Sequence, residues 1–439
     1  MRPAGLVRNL PLPGRIPFWM TRPGYVNFPA KPEKGSALPR PHFKSTPSFF
    51  LMAALCGALT AISAGATPAR IAALGGRGDF FTDEANVHRW CAVLGEYPGL
   101  VTLSSGWQGL NSASEPGEDG FRPGGGIQLG IGPEGRWATA GVFLDGRETG
   151  SDPGSLVLTG NGPAVSGMIA HRWNGVLAGL RYRRVSTEQD AAGFGKWTDL
   201  RQEIGGGLRL PTPGEGFLDL AGEIRGIDHD LSSSAPQEGF PEGNPGDSWD
   251  GYGVRGRAFF PVGTHAAVVP VFEYAKGPGP LTRVDGSPVV PSTDIERLSR
   301  VGCGLDVFPD LDNMLVLSAE YLHADLTIPN PLDSWYPVQR RSRRAFFLRL
   351  GLERRLTPWL VARAAAGFDH ILDSGSGAGE DTTERWPLSL GLSTSFGGTT
   401  LDVALRRGSP DPDVSVPGSS GFPNHATWFM AVLRQEFQP

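Results

Sequence analysis

The amino-acid sequence predicts an all-β fold: a transmembrane antiparallel up-and-down β-barrel of about sixteen strands, within roughly fourteen to eighteen, with a short plug-like N-terminal segment. Three observations carry this expectation: apolar and polar residues alternate with a period of two, short and long connections alternate along the chain, and the polar face carries charge. The alternation is clearest from Asp199 to Asp228, where two runs flank Pro211-Thr212-Pro213-Gly214-Glu215-Gly216. In the first run Leu200, Ile204, Leu208 and Leu210 share one face while Arg201, Glu203 and Arg209 share the other. In the second, Leu218, Leu220 and Ile224 oppose Asp219, Glu223 and Arg225. Successive side chains of a strand point to opposite faces, so this hairpin is apolar on one side and charged on the other.

The elements follow in chain order. A Pro- and Arg-rich stretch, Met1 to Phe43, precedes an apolar run from Phe49 to about Ala66 that ends Ala64-Gly65-Ala66. Basic residues before an apolar core and small residues after it read as a secretory signal cleaved near Ala66. The core is shorter than the roughly 20 apolar residues that span a bilayer. The long leading stretch makes Met20 an alternative start. Cys56 follows Ala54-Leu55, which lacks the small residue of a lipoprotein signal, so no lipidation is expected. The mature chain then divides into an N-terminal segment, residues 67–99, and a barrel, residues 100–439. The segment from Thr67 to Pro98 shows no strand alternation and reads as a compact piece inside the barrel or across its periplasmic mouth.

From there the strands run Leu100–Trp107, Ile127–Ile131, Arg136–Leu144, Ala164–Arg172, Val176–Val185 and Asp199–Leu210. They continue as Phe217–Ile227, Gly251–Phe260, Ala266–Ala275, Leu298–Phe308 and Met314–Leu326. Arg344–Arg355, Trp359–His370, Leu388–Phe396, Thr400–Arg407 and Thr427–Phe437 complete the set. Short links such as Trp173-Asn174-Gly175 and Gly397-Gly398 alternate with long ones rich in Gly, Pro, Ser and Asp. The long class includes Asn111 to Gly125, Ser186 to Lys196, Asp230 to Ser248 and Ser374 to Thr383. Tight periplasmic turns and extended extracellular loops produce this alternation, and an even strand count returns both termini to the periplasm.

Faces agree from strand to strand. Outward sets include Leu315, Leu317, Ala319 and Tyr321, and Phe346, Leu348, Leu350 and Leu352. The charged set expected to line the lumen comprises Arg181, Arg183, Arg201, Glu203, Arg209, Asp219, Glu223, Arg225, Arg255, Arg257, Glu320, Arg349, Glu353 and Arg363. A soluble sandwich would place its apolar face inward, which this pattern contradicts. Aromatics gather at two heights: Tyr182, Tyr252, Tyr274, Tyr321, Phe346 and Phe368 near the long loops, and Phe260, Phe396 and Phe437 near the short turns. Two such belts mark membrane interfaces.

Composition agrees with this class. Gly (62) and Pro (39) suit many turns, and 39% hydrophobic with 19% charged residues fits neither a disordered chain nor a helical membrane protein. A net charge of -5 excludes a general nucleic-acid binder. Of the mature cysteines, Cys303 shares a face with Val301, Leu305 and Val307, which favours a lipid-facing thiol over a bridge to Cys91.

The final strand, Thr427 to Phe437, resembles the C-terminal signal of bacterial outer-membrane barrels, which implies the barrel-assembly machinery as a partner, although Gln438-Pro439 follow the aromatic. Ala73-Leu74-Gly75-Gly76 with Asp83-Glu84-Ala85-Asn86-Val87 is similar to the N-terminal motif of long-chain fatty-acid transporter-like barrels. That resemblance implies a plug and about fourteen strands. Where those proteins commonly continue into Asn-Pro, this chain has Arg89-Trp90-Cys91.

No GxSxG, HExxH, Walker or CxxC motif is present, so no catalytic residue, metal ligand or cofactor is assigned. Acid and His residues meet the long loops at Asp228-His229-Asp230, at His323 with Asp325, and at Asp369-His370, a pattern that an outer-membrane hydrolase would use. Arg77-Gly78-Asp79 spells an integrin tripeptide inside the segment read as periplasmic or plugged, and is taken as chance. The expectation is a non-enzymatic channel or transporter-like barrel in the bacterial outer membrane, in contact with its lipids, passing a small solute. The alternative is a structural or surface-interaction barrel without transport.

Overall fold

The computed structural model describes residues 67–75, 78–82, 84–108, 122–132, 137–145, 164–191, 195–214, 216–232, 248–278, 294–310, 312–328, 339–375, 378–407 and 427–436. The signal-like run, the leading stretch and Phe437 lie outside them. The first strands are β1 (Leu100–Gln108), β2 (Arg122–Ile131), β3 (Ala138–Asp145), β4 (Ala164–Trp173), β5 (Val176–Ala191) and β6 (Gly195–Pro211). Next come β7 (Phe217–Ser232), β8 (Ser248–Val262), β9 (Ala266–Pro278), β10 (Asp294–Val307), β11 (Asn313–Ile328) and β12 (Gln339–Thr357). The last are β13 (Leu360–Gly375), β14 (Ala378–Arg385), β15 (Leu388–Phe396), β16 (Thr399–Arg407) and β17 (Thr427–Glu436).

Apart from β14 and β15, the strands pair antiparallel with their chain neighbours, and β1 pairs with both β2 and β17, which closes the sheet. β14 and β15 both pair with β13, one above the other, and are separated by Trp386-Pro387. Pro387 has no N–H to donate, so one wall position is split there into two pieces. The barrel therefore has sixteen wall positions, as the sequence predicts, and not the fourteen implied by the transporter-like resemblance. At the β4–β5 turn Asn174 (φ 49) and Gly175 (φ 87) are both left-handed, the geometry a two-residue hairpin requires.

Two expected loops are strands. β5 and β6 stay paired up to Ala191 opposite Gly195, through the stretch Ser186 to Lys196. β13 and β14 likewise stay paired up to Gly375 opposite Ala378, within Ser374 to Thr383. Above the apolar band both faces of a strand are polar, so a pattern of alternating hydrophobicity stops before the ladder does.

The outer face is apolar: Leu180, Ile204, Val254, Leu317, Leu348 and Leu390 are all exposed. The aromatic belts are present and are reinforced by tryptophans the sequence reading omitted. Trp137, Trp173 and Trp359 join Phe260 and Phe396 beside the short turns, and Trp249 and Trp386 lie toward the loops. No helix among the described residues is long and apolar enough to cross a membrane.

Residues 67–99 form helix α1 (Pro68–Ala73) and two 3-10 helices, Glu84–His88 and Cys91–Glu96. Thr67 caps α1, its Oγ accepting from the Arg70 N–H, and Pro68 suits the first helical position. This segment touches widely separated arcs of the wall. α1 lies against β13, β15, β16 and β17, Phe80 against Gly304 of β10, and the second 3-10 helix against β3 to β6. A segment that reaches opposite arcs of a closed barrel runs across its lumen.

Candidate functional site: a charged wall and the segment across it

The inner wall places alternate residues of each strand against residues 67–99, in the half of the barrel nearer the short turns. Where the segment is apolar the wall is apolar too. Ile71, Leu74, Phe80 and Phe81 pack with Phe217, Phe259, Val269, Val271, Met314 and Val316. Val87, Trp90, Val93 and Leu94 pack with Phe143, Met168 and Ala170. Each large side chain buried this way contributes about 1.5–3 kcal/mol. Glycines make the close approach possible. An added Cβ would come 2.5 Å from the Cys91 backbone at Gly179, 2.3 Å from the Phe80 ring at Gly304, and 2.4 Å from the Ala73 Cβ at Gly391.

Charge fixes the rest. Asp79 is fully buried, accepts from Trp90 Nε1 at 3.1 Å, and pairs with Arg89 Nε at 2.7 Å and with Arg300. Burial by itself would raise its carboxyl, but Arg89, Arg300 and Arg257 outweigh burial and hold the group well below the usual carboxylate range. Glu273 pairs with Arg89 and Arg300, and Arg300 reaches Glu320 at 3.1 Å. Arg257 donates from Nη1 to the carbonyls of Gly78, Asp79 and Phe81 at 3.1, 3.1 and 3.2 Å, and from Nε to Asp219 at 2.9 Å. One guanidinium thus ties the backbone of the crossing segment to the wall.

Arg209 binds Asp219 through two parallel bonds, 2.6 and 2.7 Å, and Glu96 at 2.7 Å. Arg181 reaches Glu203 at 3.0 Å, Glu223 at 2.8 Å and the His88 carbonyl. Arg225 and Arg255 both pair with Glu223, and Arg183 lies 3.9 Å from Glu203. On the opposite arc Arg70 binds Glu353 at 2.7 and 3.0 Å, and Arg363 bridges Glu353 to Asp402 at 2.6 and 2.9 Å. Thr67 donates to Asp402 at 2.7 Å, while Arg349 donates to the Gly75 carbonyl at 3.0 Å and pairs with Asp369.

Of the charged residues expected inside, Arg181, Arg209, Arg257, Arg349 and Glu353 hold the N-terminal segment directly. Glu203, Asp219, Glu223, Arg225, Arg255, Glu320 and Arg363 join them through ion pairs, and Arg183 sits beside Glu203. The side chain of Arg201 lies outside the described residues. Sequence reasoning missed Arg70, Asp79, Arg89 and Glu96 on the segment, and Glu273, Arg300 and Asp402 on the wall. Arg300-Gly302-Gly304-Asp306 carried a usable signal at a spacing of two. Glu273 did not, because β9 is apolar on both faces where Val269 and Val271 meet the aromatic face of the segment. Asp79 of the integrin-like tripeptide is an internal anchor.

The cysteines are free: Cys91 is buried and Cys303 exposed on the outer face. Burial pushes the Cys91 thiol above its ordinary value. Among the described residues no group of three His, Cys, Asp or Glu side chains is arranged to hold a metal. Asp369 is buried and paired with Arg349, while His370 lies on the other face, 3.5 Å from Glu384, so this sequence pair does not act as one unit. His323 and Asp325 do meet, at 3.0 Å, on the outer face. The side chains of Asp228, His229 and Asp230 lie outside the described residues.

No protein-family model and no curated protein matches this chain. Solved structures similar to it are outer-membrane proteins. CdiB from Escherichia coli shares 15% identity at a TM-score of 0.45, over 76% of this chain and 62% of that one, so this chain spans less than two thirds of CdiB. The CymD monoaromatic hydrocarbon channel shares 12% identity at a TM-score of 0.42, covering 85% and 98% of the two chains. The Pseudomonas putida toluene transporter TodX shares 11% identity at a TM-score of 0.40, covering 84% and 97%.

Proposed function

We propose that this protein is a solute channel of the bacterial outer membrane, closed at rest by residues 67–99 and opened when that segment shifts within the lumen. The observation that carries this reading is the ion-paired segment lying across a sixteen-strand barrel. Sixteen strands enclose a lumen wide enough for an aqueous channel. A purely structural barrel has no need to close such a lumen with a separate chain segment anchored by charge. Buried ion pairs of this kind contribute little net stability compared with apolar packing, but they set a register and a switchable state. The lumen charges outside the anchor set, among them Arg183 and Arg225, tune which solutes pass.

The reading is non-enzymatic, with a small solute, the outer-membrane lipids and the assembly machinery as partners. The N-terminal run 49–66 is its export signal. The second reading, a surface-interaction barrel without transport, is favoured by the same occupied lumen if the segment never moves. Solute flux into liposomes separates the two. Flux should be low for the intact protein and high when the anchors Asp79 and Arg209 are replaced together by Asn and Gln. A folded double variant that admits nothing overturns the channel reading.

A further inference from the structure

We infer that the outer face of β9 to β12 binds the phosphorylated headgroup of an outer-leaflet lipid. The inference does not depend on whether the lumen conducts. It starts from the upper aromatic belt, where Tyr274, Tyr321 and Phe346 point outward from β9, β11 and β12 and mark the interface. Two residues beyond each belt aromatic, on the same face and toward the long loops, stand Lys276, His323 and Arg344. Arg297 of β10 faces Asp325 of β11, and His323 faces Arg344, so the basic side chains run across four neighbouring strands.

Height and charge both fit. A strand rises about 3.3 Å per residue, so two residues on a strand tilted by about 40° lie roughly 5 Å above the aromatic ring. That is the level of lipid phosphates, above the apolar band and below the loops. Lys276, Arg297 and Arg344 are exposed, and Arg297 attracts the Asp325 carboxylate that it faces across β10 and β11. The acid within the row is Asp325, which already accepts from His323 at 3.0 Å. The row ends at β13, where Leu372 lies opposite Arg344 and His370, opposite Phe346, faces Glu384 at 3.5 Å. Three cations against one engaged carboxylate, above a ring of aromatics, suit an anionic headgroup with acyl chains lying on the apolar wall below.

The test is native mass spectrometry of the full-length barrel titrated with lipid A, a diphosphorylated glycolipid, and with its dephosphorylated form. The wild type should retain the phosphorylated lipid in preference. Replacing Lys276, Arg297 and Arg344 together by Gln should weaken retention roughly a hundredfold, about fivefold per cation. Arg344→Lys should retain the lipid, and Arg344→Gln alone should lose about fivefold, which keeps the test decisive if the triple variant does not fold. Equal retention by a folded triple variant, equal retention of the dephosphorylated lipid, or displacement by inorganic phosphate, which would mark a site for soluble anions, overturns the inference.

Discussion

Replacing Asp79 by Ala should release the N-terminal segment from the lumen, and Cys91 provides the reporter. Asp79 is the acid against which Arg89 and Arg300 are packed, and it also accepts from Trp90. Removing one partner from a buried pair leaves the other charge uncompensated, at a cost of about 3–5 kcal/mol. Glu273 still faces both arginines and offsets part of that cost, so the lower end of the range is the better expectation. At about 1.4 kcal/mol per tenfold, the undocked population rises by roughly two orders of magnitude. Cys91 belongs to the docked segment and is buried where that segment meets the wall, its sulfur 3.2 Å from where a Cβ on Gly207 would lie. Its labelling by a maleimide at neutral pH should follow the open population. The measurement is made in a Cys303→Ser background, because Cys303 is exposed on the outer face. A rise in labelling rate of about a hundredfold is expected. A folded Asp79→Ala barrel whose Cys91 stays as protected as in the parent would refute the anchoring argument.

Further expectations follow from the same arrangement. Gly304→Val should loosen the segment without touching the outer face, because even a Cβ there meets the Phe80 ring at 2.3 Å; faster Cys91 labelling checks it, and unchanged labelling counts against the close approach. Acid should open the barrel through Asp79. Its docked value is depressed, so its contribution is complete above the undocked carboxylate value of about 3.9 and is lost as pH falls through the docked value. Conductance attributable to Asp79 should therefore stay flat from about pH 8 to about pH 5 and rise only below about pH 4, and Asp79→Asn should remove that rise. Leu348→Lys, on the lipid face, should cost about 2–4 kcal/mol in unfolding from bilayers if Leu348 lies near mid-membrane. A negligible cost would place that face away from lipid.

Much of the wall was legible because lipid imposes a simple rule. Outward positions such as Leu315, Leu317 and Tyr321 had to be apolar, and strand alternation then assigned Ser318 and Glu320 inward without further information. The tops of β5, β6, β13 and β14 escaped, since outside the apolar band neither face is constrained and the ladder leaves no periodic trace. The charged interior was legible as charge but not as pairing. Arg209 with Asp219 is a cross-strand neighbour that register alone would suggest, whereas Arg257 and Arg349 spend donors on carbonyls of residues 75–81. Thr67 with Asp402 joins positions 335 residues apart, a closeness that only the closed barrel creates. Sequence alternation reports which face a residue takes; it carries no information about what crosses the lumen.

The central claim is that residues 67–99 close a lumen that is otherwise wide enough to conduct. Electrical conductance across planar bilayers tests it most directly, comparing the intact barrel with one lacking residues 67–96, both checked for a heat-dependent shift on gels. The account predicts near-silence from the intact protein and large, long-lived conductance steps from the shortened one. Equal conductance from two folded barrels would contradict it.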